Sequence, residues 1–115
     1  VSVDIHGLPT KESNRDIFAF HIHEGSHCTG EDFSDTGSHF DLGDHLHPYH
    51  TGDLPPLFAE RGKAYMEFWT NQFSIRDILG RTLIIHEHPD DLSTQPSGNA
   101  GKKIACGVIL RNCCR

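Results

Sequence analysis

Apolar and polar residues alternate with a period of two along several short stretches of the chain, a pattern typical of half-buried β-strands. Glycine and proline, 11 and 6 residues respectively, cluster between these stretches and indicate turns and loops. The pattern therefore predicts an all-β domain with strands at 1–6, 17–23, 63–69, 81–86 and 103–110. A short helical turn is predicted at 74–79. Long loops are predicted at 24–60 and 87–102, and loops of this length are usually functional or disordered.

The predicted strand at 17–23 carries different chemistry on its two faces. Phe18, Phe20 and Ile22 alternate along it with His21 and His23. Because successive side chains of a strand point to opposite faces, the apolar side chains share one face and the two imidazoles share the other. The two histidines lie about 6–7 Å apart along the strand, so both can bind the same metal ion.

A second cluster of candidate ligands lies in the first long loop. His47, His50 and Asp53 follow one another with two residues between neighbours, and His39 precedes them. Together they would provide three imidazoles and one carboxylate, a donor set that suits tetrahedral zinc. His45 competes with His47 for a place in this set.

His86 ends the predicted strand at 81–86, after an apolar run. With His21, His23 and a fourth imidazole it would form a histidine site that suits copper or zinc rather than magnesium or calcium. Histidine makes up 10 of the 115 residues, which points to a metal site by composition alone. Three further histidines are interpreted as residues that bind no metal: His6, His27 and His88.

Composition and missing motifs narrow the class of protein. The chain is 36% hydrophobic and 23% charged, which predicts one folded domain over residues 1–115. Its net charge of −6 argues against a nucleic-acid partner, and its apolar runs are too short to span a membrane. The P-C-x-x-C and G-x-S-x-G motifs are absent from the sequence, so a zinc deaminase and a serine hydrolase are unsupported.

Five ordered motifs resemble the copper–zinc superoxide dismutase family. They are Phe20-His21-Ile22-His23-Glu24, Gly37-Ser38-His39-Phe40, His50-Thr51-Gly52-Asp53-Leu54, Gly80-Arg81-Thr82-Leu83-Ile84-Ile85-His86, and Gly98-Asn99-Ala100-Gly101 running to Ala105-Cys106-Gly107-Val108-Ile109. The resemblance implies a Greek-key β-barrel of the immunoglobulin-like sandwich type, with long metal-binding and electrostatic loops. The first strands of the family's barrel are lacking, so we expect a fragment, a homo-oligomer, or partner strands that complete the barrel.

The resemblance also implies roles for individual residues. The copper ligands would be His21, His23, His39 and His86, and the zinc ligands would be His39, His47, His50 and Asp53, with His39 bridging the two ions. Asp90 would hydrogen-bond one ligand of each metal, as such partners orient ligands and tune metals. Lys103 stands where the family usually has an arginine beside the copper, and we expect it to be catalytic together with His39.

The implied activity is the conversion of superoxide to oxygen and hydrogen peroxide by a redox-cycling copper, beside a structural zinc. Lysine keeps the positive charge of arginine but lacks its planar guanidinium group, so slower catalysis is expected. A second interpretation is a non-catalytic copper- and zinc-binding protein that stores or delivers metal. A third is a copper-only dismutase, because the segment that carries His47 and Asp53 is compact.

The four cysteines allow three pairings. The resemblance implies a disulfide between Cys28 and Cys106, which favours a secreted, periplasmic or cell-envelope protein but leaves a cytoplasmic one open. Cys113 and Cys114 are adjacent, and free thiols, intermolecular bonds and a role as soft metal ligands are all open for them.

Overall fold

The structure is a computed structural model that describes residues 1–11 and 15–112. The strands in these ranges are β1 (Ser2–Ile5), β2 (Arg15–Phe18), β3 (Phe20–His23), β4 (Leu57–Glu60), β5 (Ala64–Glu67), β6 (Thr82–His86) and β7 (Lys103–Val108). A short 3₁₀ helix follows β3 at Glu31–Thr36, and the helix α1 covers Ile75–Ile78. The all-β fold class is therefore confirmed. No helix in the described ranges is long and apolar enough to cross a membrane.

The strands pair in antiparallel fashion in three separate sheets. One contains β1 and β5, a second contains β2 and β4, and the third has the order β3–β6–β7. In the part of the chain that the structure describes, these sheets do not close into a barrel. The third sheet positions the candidate site, because β3 carries His21 and His23 and β6 carries His86.

The predicted strand at 17–23 is two strands, and predicting one was wrong. Phe18 pairs with Leu57 in the second sheet, whereas Phe20 pairs with Ile85 in the third. Ala19 lies between them, and its N–H donates to the His88 carbonyl oxygen at 2.9 Å. The chain passes from the second sheet to the third without a turn. The apolar alternation therefore continues through Ala19, and the sequence pattern does not show where one strand ends and the next begins.

The prediction of an unbroken loop at 24–60 was also wrong, because β4 lies at its end. Leu57 and Ala59 are buried, while Phe58 and Glu60 point outward. This alternation covers only four residues and directly follows Pro55 and Pro56. The alternating stretch is therefore shorter than those from which the other strands were predicted.

The apolar core lies behind the histidine face of β3. Phe20 and Ile22 of β3 are buried in it, and the two histidines that alternate with them are buried on the opposite face. The residues of this core are Val3, Leu8, Phe18, Phe20, Ile22, Phe40, Leu54, Leu57, Ala59, Ala64 and Ile85. The two faces predicted from the alternation are therefore present, and neither faces solvent.

A disulfide joins Cys28, in the loop after β3, to Cys106 of β7. The pairing implied by the resemblance is confirmed. It ties the loop that leads to His39 to the sheet that carries His86. Cys113 and Cys114 lie outside the described residues.

Candidate metal centre

Four histidines from different parts of the chain meet on one side of the third sheet. They are His21, His23, His39 and His86, and each offers a nitrogen within 4.8 Å of the others. The ring centroids of His21 and His39 are 4.0 Å apart, and those of His21 and His86 are 4.9 Å apart. All four residues are buried. This first group has the imidazoles needed to surround one ion.

The loop that follows β3 returns along the open edge of that strand. Phe40 donates its N–H to the Ile22 carbonyl oxygen at 2.8 Å, and Ile22 donates its own N–H to the Gly52 carbonyl oxygen at 2.9 Å. A Cβ at Gly52 would overlap the Ile22 carbonyl oxygen, so this close approach requires glycine. The loop thereby sets His39 opposite His23 and Asp53 opposite His21.

A second group shares His21 and His39 with the first and adds His47 and Asp53, again with ligand atoms within 4.8 Å of one another. His39 Nδ1 lies 2.7 Å from Asp53 Oδ1. The Nδ1 atoms of His47 and His50 lie 3.0 and 2.9 Å from Asp53 Oδ2. One carboxylate therefore faces three imidazoles.

The six histidines of this region each have one buried nitrogen that has no hydrogen-bond partner among the described residues. The atoms are His21 Nδ1, His23 Nε2, His39 Nε2, His47 Nδ1, His50 Nδ1 and His86 Nε2. The short distances from Asp53 Oδ2 to His47 and His50 lack hydrogen-bond geometry, so they do not satisfy those two nitrogens. A buried polar atom without a partner costs about 1–3 kcal/mol. A set of such nitrogens, with one carboxylate among them, fits copper and zinc.

The second nitrogen of each ring in the first group is held by a hydrogen bond. His23 Nδ1 donates to the Gly37 carbonyl oxygen at 2.8 Å, and His86 Nδ1 donates to the Gly101 carbonyl oxygen at 3.1 Å. These bonds place the proton on Nδ1 and leave Nε2 as the ligand atom. Hydrogen bonds of this kind fix the orientation of a metal-binding imidazole.

Burial keeps three imidazoles of the first group, those of His21, His23 and His86, neutral. It lowers the pKa of His21 to about 2, of His23 to about 3 and of His86 to about 4. The hydrogen bonds to the Gly37 and Gly101 carbonyl oxygens oppose this lowering at His23 and His86 without cancelling it. Burial opposes ionisation of Asp53, but the hydrogen bond from His39 and the nearby histidines hold its pKa below the usual range. Neutral imidazoles and an ionised carboxylate are the forms that bind metal ions.

Asp90 connects the two groups. Its Oδ2 lies 2.8 Å from His21 Nε2, and its Oδ1 lies 2.7 Å from His47 Nε2. A Cβ at Gly98 would overlap Asp90 Oδ1, so the loop can approach this carboxylate only with glycine at that position. These bonds leave the Nδ1 atoms of His21 and His47 free to face the metal groups.

The structure places His47 beside Asp53 and leaves His45 outside both groups. His45 Nδ1 lies 2.9 Å from Asp41 Oδ1, and its side chain is 54% exposed. Of the other histidines outside the groups, His50 lies beside Asp53 and is partly buried, whereas His6, His27 and His88 are exposed.

Lys103 lies beside the first group. It lines a pocket of about 280 Å³ that opens over His23, His39 and His86. Its Nζ donates to Thr36 Oγ1 at 2.8 Å, to the Gly37 carbonyl oxygen at 3.2 Å and to the Phe33 carbonyl oxygen at 3.4 Å. Burial lowers the pKa of Lys103. The ammonium therefore brings a positive charge to the pocket while all three of its N–H groups are held by the protein.

Two features of the site gave no signal in the sequence. One is the set of main-chain carbonyls that orient His23 and His86, since any residue type can provide a carbonyl. The other is Gln95, whose side chain binds both the N–H and the carbonyl of His47. Gln95 stands in a loop segment with no periodicity, so its partner could not be predicted.

Comparison with known proteins gives a consistent result. The family model described as copper/zinc superoxide dismutase matches residues 1–109. The chain is 33% identical to superoxide dismutase [Cu-Zn] 2 of Aquifex aeolicus, over 95% of this chain and 70% of that protein. It is also 34% identical to the copper chaperone for superoxide dismutase of Rattus norvegicus, over 84% of this chain and 39% of the chaperone.

A solved structure shows the same fold. The crystal structure of a SOD-like protein from Bacillus subtilis superposes with a TM-score of 0.77 at 31% identity, covering 95% of this chain and 80% of that one.

Proposed function

Because the chain belongs to the copper/zinc superoxide dismutase family, we propose that it is a dismutase that converts superoxide to oxygen and hydrogen peroxide. The observation that carries the proposal is the pair of buried ligand groups that share His39. A protein that bound a single structural metal would need only one of them.

The residues of the first group would hold copper, and those of the second, with His50, would hold zinc. His21 and His39 both belong to the two groups. We assign His21 to copper alone, because its Nε2 is bound to Asp90 and only its Nδ1 is left as a ligand atom, and we assign His39 to both ions. Bound copper would supply one-electron redox chemistry, so that one superoxide is oxidised and the next is reduced. Zinc has no redox chemistry and would hold the ligands in place.

A residue of the protein would supply a proton for the formation of hydrogen peroxide. His39 is anchored through Nδ1 by Asp53, while its Nε2 has no partner in the described part of the chain and faces the first group. We assign it a proton that is held at Nε2 and passed to the peroxide as the product forms. Two superoxide ions, the proton from His39 and a second proton from solvent water then give one oxygen and one hydrogen peroxide.

Lys103 would attract the anionic substrate to the pocket. Since its three N–H groups bind oxygens of the 3₁₀ helix and of Gly37, it acts through its charge rather than by a free hydrogen bond to the substrate. A positive charge in a cleft of an acidic protein raises the local concentration of an anion and its association rate.

Replacement of Lys103 by methionine should lower kcat/KM for superoxide about tenfold and flatten its dependence on ionic strength. Stopped-flow measurement of superoxide decay at low and high salt checks this. Lys102→Met is the matched control, since it removes the same charge from the neighbouring residue, whose side chain is 65% exposed. Equal effects of the two variants would contradict a local role for Lys103.

A second candidate function is the storage or delivery of copper without catalysis. It is favoured by the lysine at position 103 and by the similarity to a protein that is named a copper chaperone. A copper-only dismutase is the third candidate, because the segment from His47 to Asp53 is short.

Elemental analysis of the purified protein, combined with an assay of superoxide decay, separates these functions. One copper and one zinc with cyanide-sensitive turnover supports the proposed dismutase. Bound metal without turnover supports storage or delivery. Full turnover with copper and no zinc supports the copper-only enzyme.

The disulfide suggests where the protein works. Disulfides persist in oxidising compartments, so Cys28–Cys106 supports an extracytoplasmic location, which we propose as secreted, periplasmic or in the cell envelope.

The open edges of β1 and β7 favour self-association. Each ends its sheet, and an apolar groove of about 370 Å³ lies between them, with Phe20, Leu83 and Ile85 in its lining. Unpaired strand edges bind further strands, and we propose that strands of a second copy occupy this side. Sedimentation of the chain should give a mass above 12.9 kDa, and a stable monomer would contradict the proposal.

A further inference from the structure

Gln95 makes contacts that the proposed chemistry does not use. Its Oε1 accepts the main-chain N–H of His47 at 2.9 Å, and its Nε2 donates to the His47 carbonyl oxygen at 2.7 Å. The same Nε2 donates to the Ser93 carbonyl oxygen at 3.2 Å. Both N–H groups and the oxygen of the amide are therefore engaged.

The main chain of His47 depends on this side chain. Among the hydrogen bonds of the described residues, its N–H and its carbonyl have Gln95 as their partner. The next main-chain bond in this segment runs from the Tyr49 N–H to the Leu46 carbonyl oxygen at 2.7 Å and passes over His47. His47 is nevertheless only 2% exposed, and its ring is a candidate zinc ligand.

The loop that carries Gln95 is itself held in shape. The Gly98 N–H donates to the Thr94 carbonyl oxygen at 2.7 Å, and the Asp91 N–H donates to the Gly98 carbonyl oxygen at 3.0 Å. Asp91 also accepts hydrogen bonds from the main-chain N–H groups of Ser93 and Thr94. Gln95 therefore projects from a loop that is held by its own hydrogen bonds, and its amide can hold the main chain of His47 in a fixed position.

This loop holds His47 at two independent points. Asp90 binds the ring at Nε2, and Gln95 binds the main chain. Two points fix both the position of the residue and the direction of its ring. The free Nδ1 then lies where it faces Asp53.

We propose that Gln95 is a positioning residue for the zinc group: it holds the main chain of His47 and so sets the affinity of the second group for zinc. The inference rests on the proposed function, in which His47 is a zinc ligand. A primary amide is suited to this task, because it offers a donor and an acceptor side by side, matching the carbonyl and the N–H of one residue.

The test is the zinc affinity of Gln95→Met, which keeps the length of the side chain but removes its hydrogen bonds. Metal-free protein is first loaded with copper, and zinc binding is then measured by competition with a chelator. Cobalt(II), substituted for zinc, reports the ligand geometry through its visible absorption. Loss of a residue that supports a metal ligand typically costs 10- to 100-fold in affinity, and we expect about tenfold here, with a changed cobalt spectrum.

The absorption of copper(II) and the affinity for copper should stay within about twofold of the unsubstituted protein. Gln72→Ala is the control for the loss of an exposed glutamine, since within residues 1–11 and 15–112 its side-chain nitrogen bonds only the neighbouring Asn71. Unchanged zinc affinity in Gln95→Met would overturn the inference. So would parallel losses of zinc affinity, copper affinity and stability of the metal-free protein, because they would indicate a merely structural role.

His47→Ala separates this inference from the proposed function. If His47→Ala loses zinc while Gln95→Met binds it normally, only the role of Gln95 is overturned. If His47→Ala still binds zinc as the unsubstituted protein does, the zinc group itself is wrong, and the proposed function loses its zinc site together with this inference.

Discussion

Replacement of His39 by alanine should lower the dismutase turnover of the metal-loaded protein by about 100-fold or more, the scale of a lost proton-transfer group. The residue is shared by the two ligand groups, and its Nε2 faces the first group while its Nδ1 is bound to Asp53. Under the proposed function, the substitution removes both the proton carrier and the ligand shared by the two ions. Superoxide decay, measured at equal copper content, gives the result.

The copper site of the His39→Ala variant should survive, because His21, His23 and His86 remain. Copper(II) absorption and electron paramagnetic resonance should show a changed but occupied site, and the fold should be retained. His27→Ala is the control, since this exposed histidine lies outside both groups. Turnover within threefold of the unsubstituted protein, with copper bound, would contradict the role assigned to His39.

The sequence predicted the chemistry of the site better than the path of the chain around it. Alternation at 18–23 placed His21 and His23 on one face without any knowledge of the fold, and the structure has both on that face. The same alternation concealed the change of sheet at Ala19, because a strand that is buried on both sides keeps its pattern when its partner changes.

Long-range partners needed either the resemblance or the coordinates. The link that Asp90 makes to His21 and His47 was expected only from the resemblance, since no local pattern relates position 90 to positions 21 and 47. The carbonyl of Gly37, which binds both His23 and Lys103, and the amide of Gln95 could not be predicted. Main-chain carbonyls carry no sequence signature, and a loop glutamine has too many conformations for its partner to be deduced.

The segment from His47 to His50 is short, and residues of the loop at 87–102 hold it in place. Asp90 and Gln95 of the second loop anchor His47, the first residue of this short segment. The two loops therefore act as one unit around the second group. This accounts for the burial of His47 in a segment whose neighbours, Leu46 and Tyr49, are 68% and 75% exposed.

Removal of the disulfide by the double substitution Cys28→Ser and Cys106→Ser should lower the free energy of unfolding by about 4 kcal/mol in the chain-entropy model. The bond joins residues 78 positions apart. Without this long closed loop the unfolded chain gains conformational entropy, which favours unfolding. Urea unfolding of the metal-free protein, followed by fluorescence, measures the change. Chemical reduction of the unsubstituted protein should give the same loss.

The effect of this double substitution should extend from stability to copper binding. The Cys28 loop continues to Thr36 and Gly37, and the Gly37 carbonyl holds His23 Nδ1. Gly25 also binds the Thr36 carbonyl oxygen, so part of the loop stays tied when the disulfide is absent. We therefore expect copper affinity to fall by about tenfold, the lower end for a disturbed ligand support, while His47 and the zinc group are spared. Ser26→Ala, an exposed change in the same loop, is the control. A stability loss below about 1 kcal/mol would contradict the contribution expected of the disulfide.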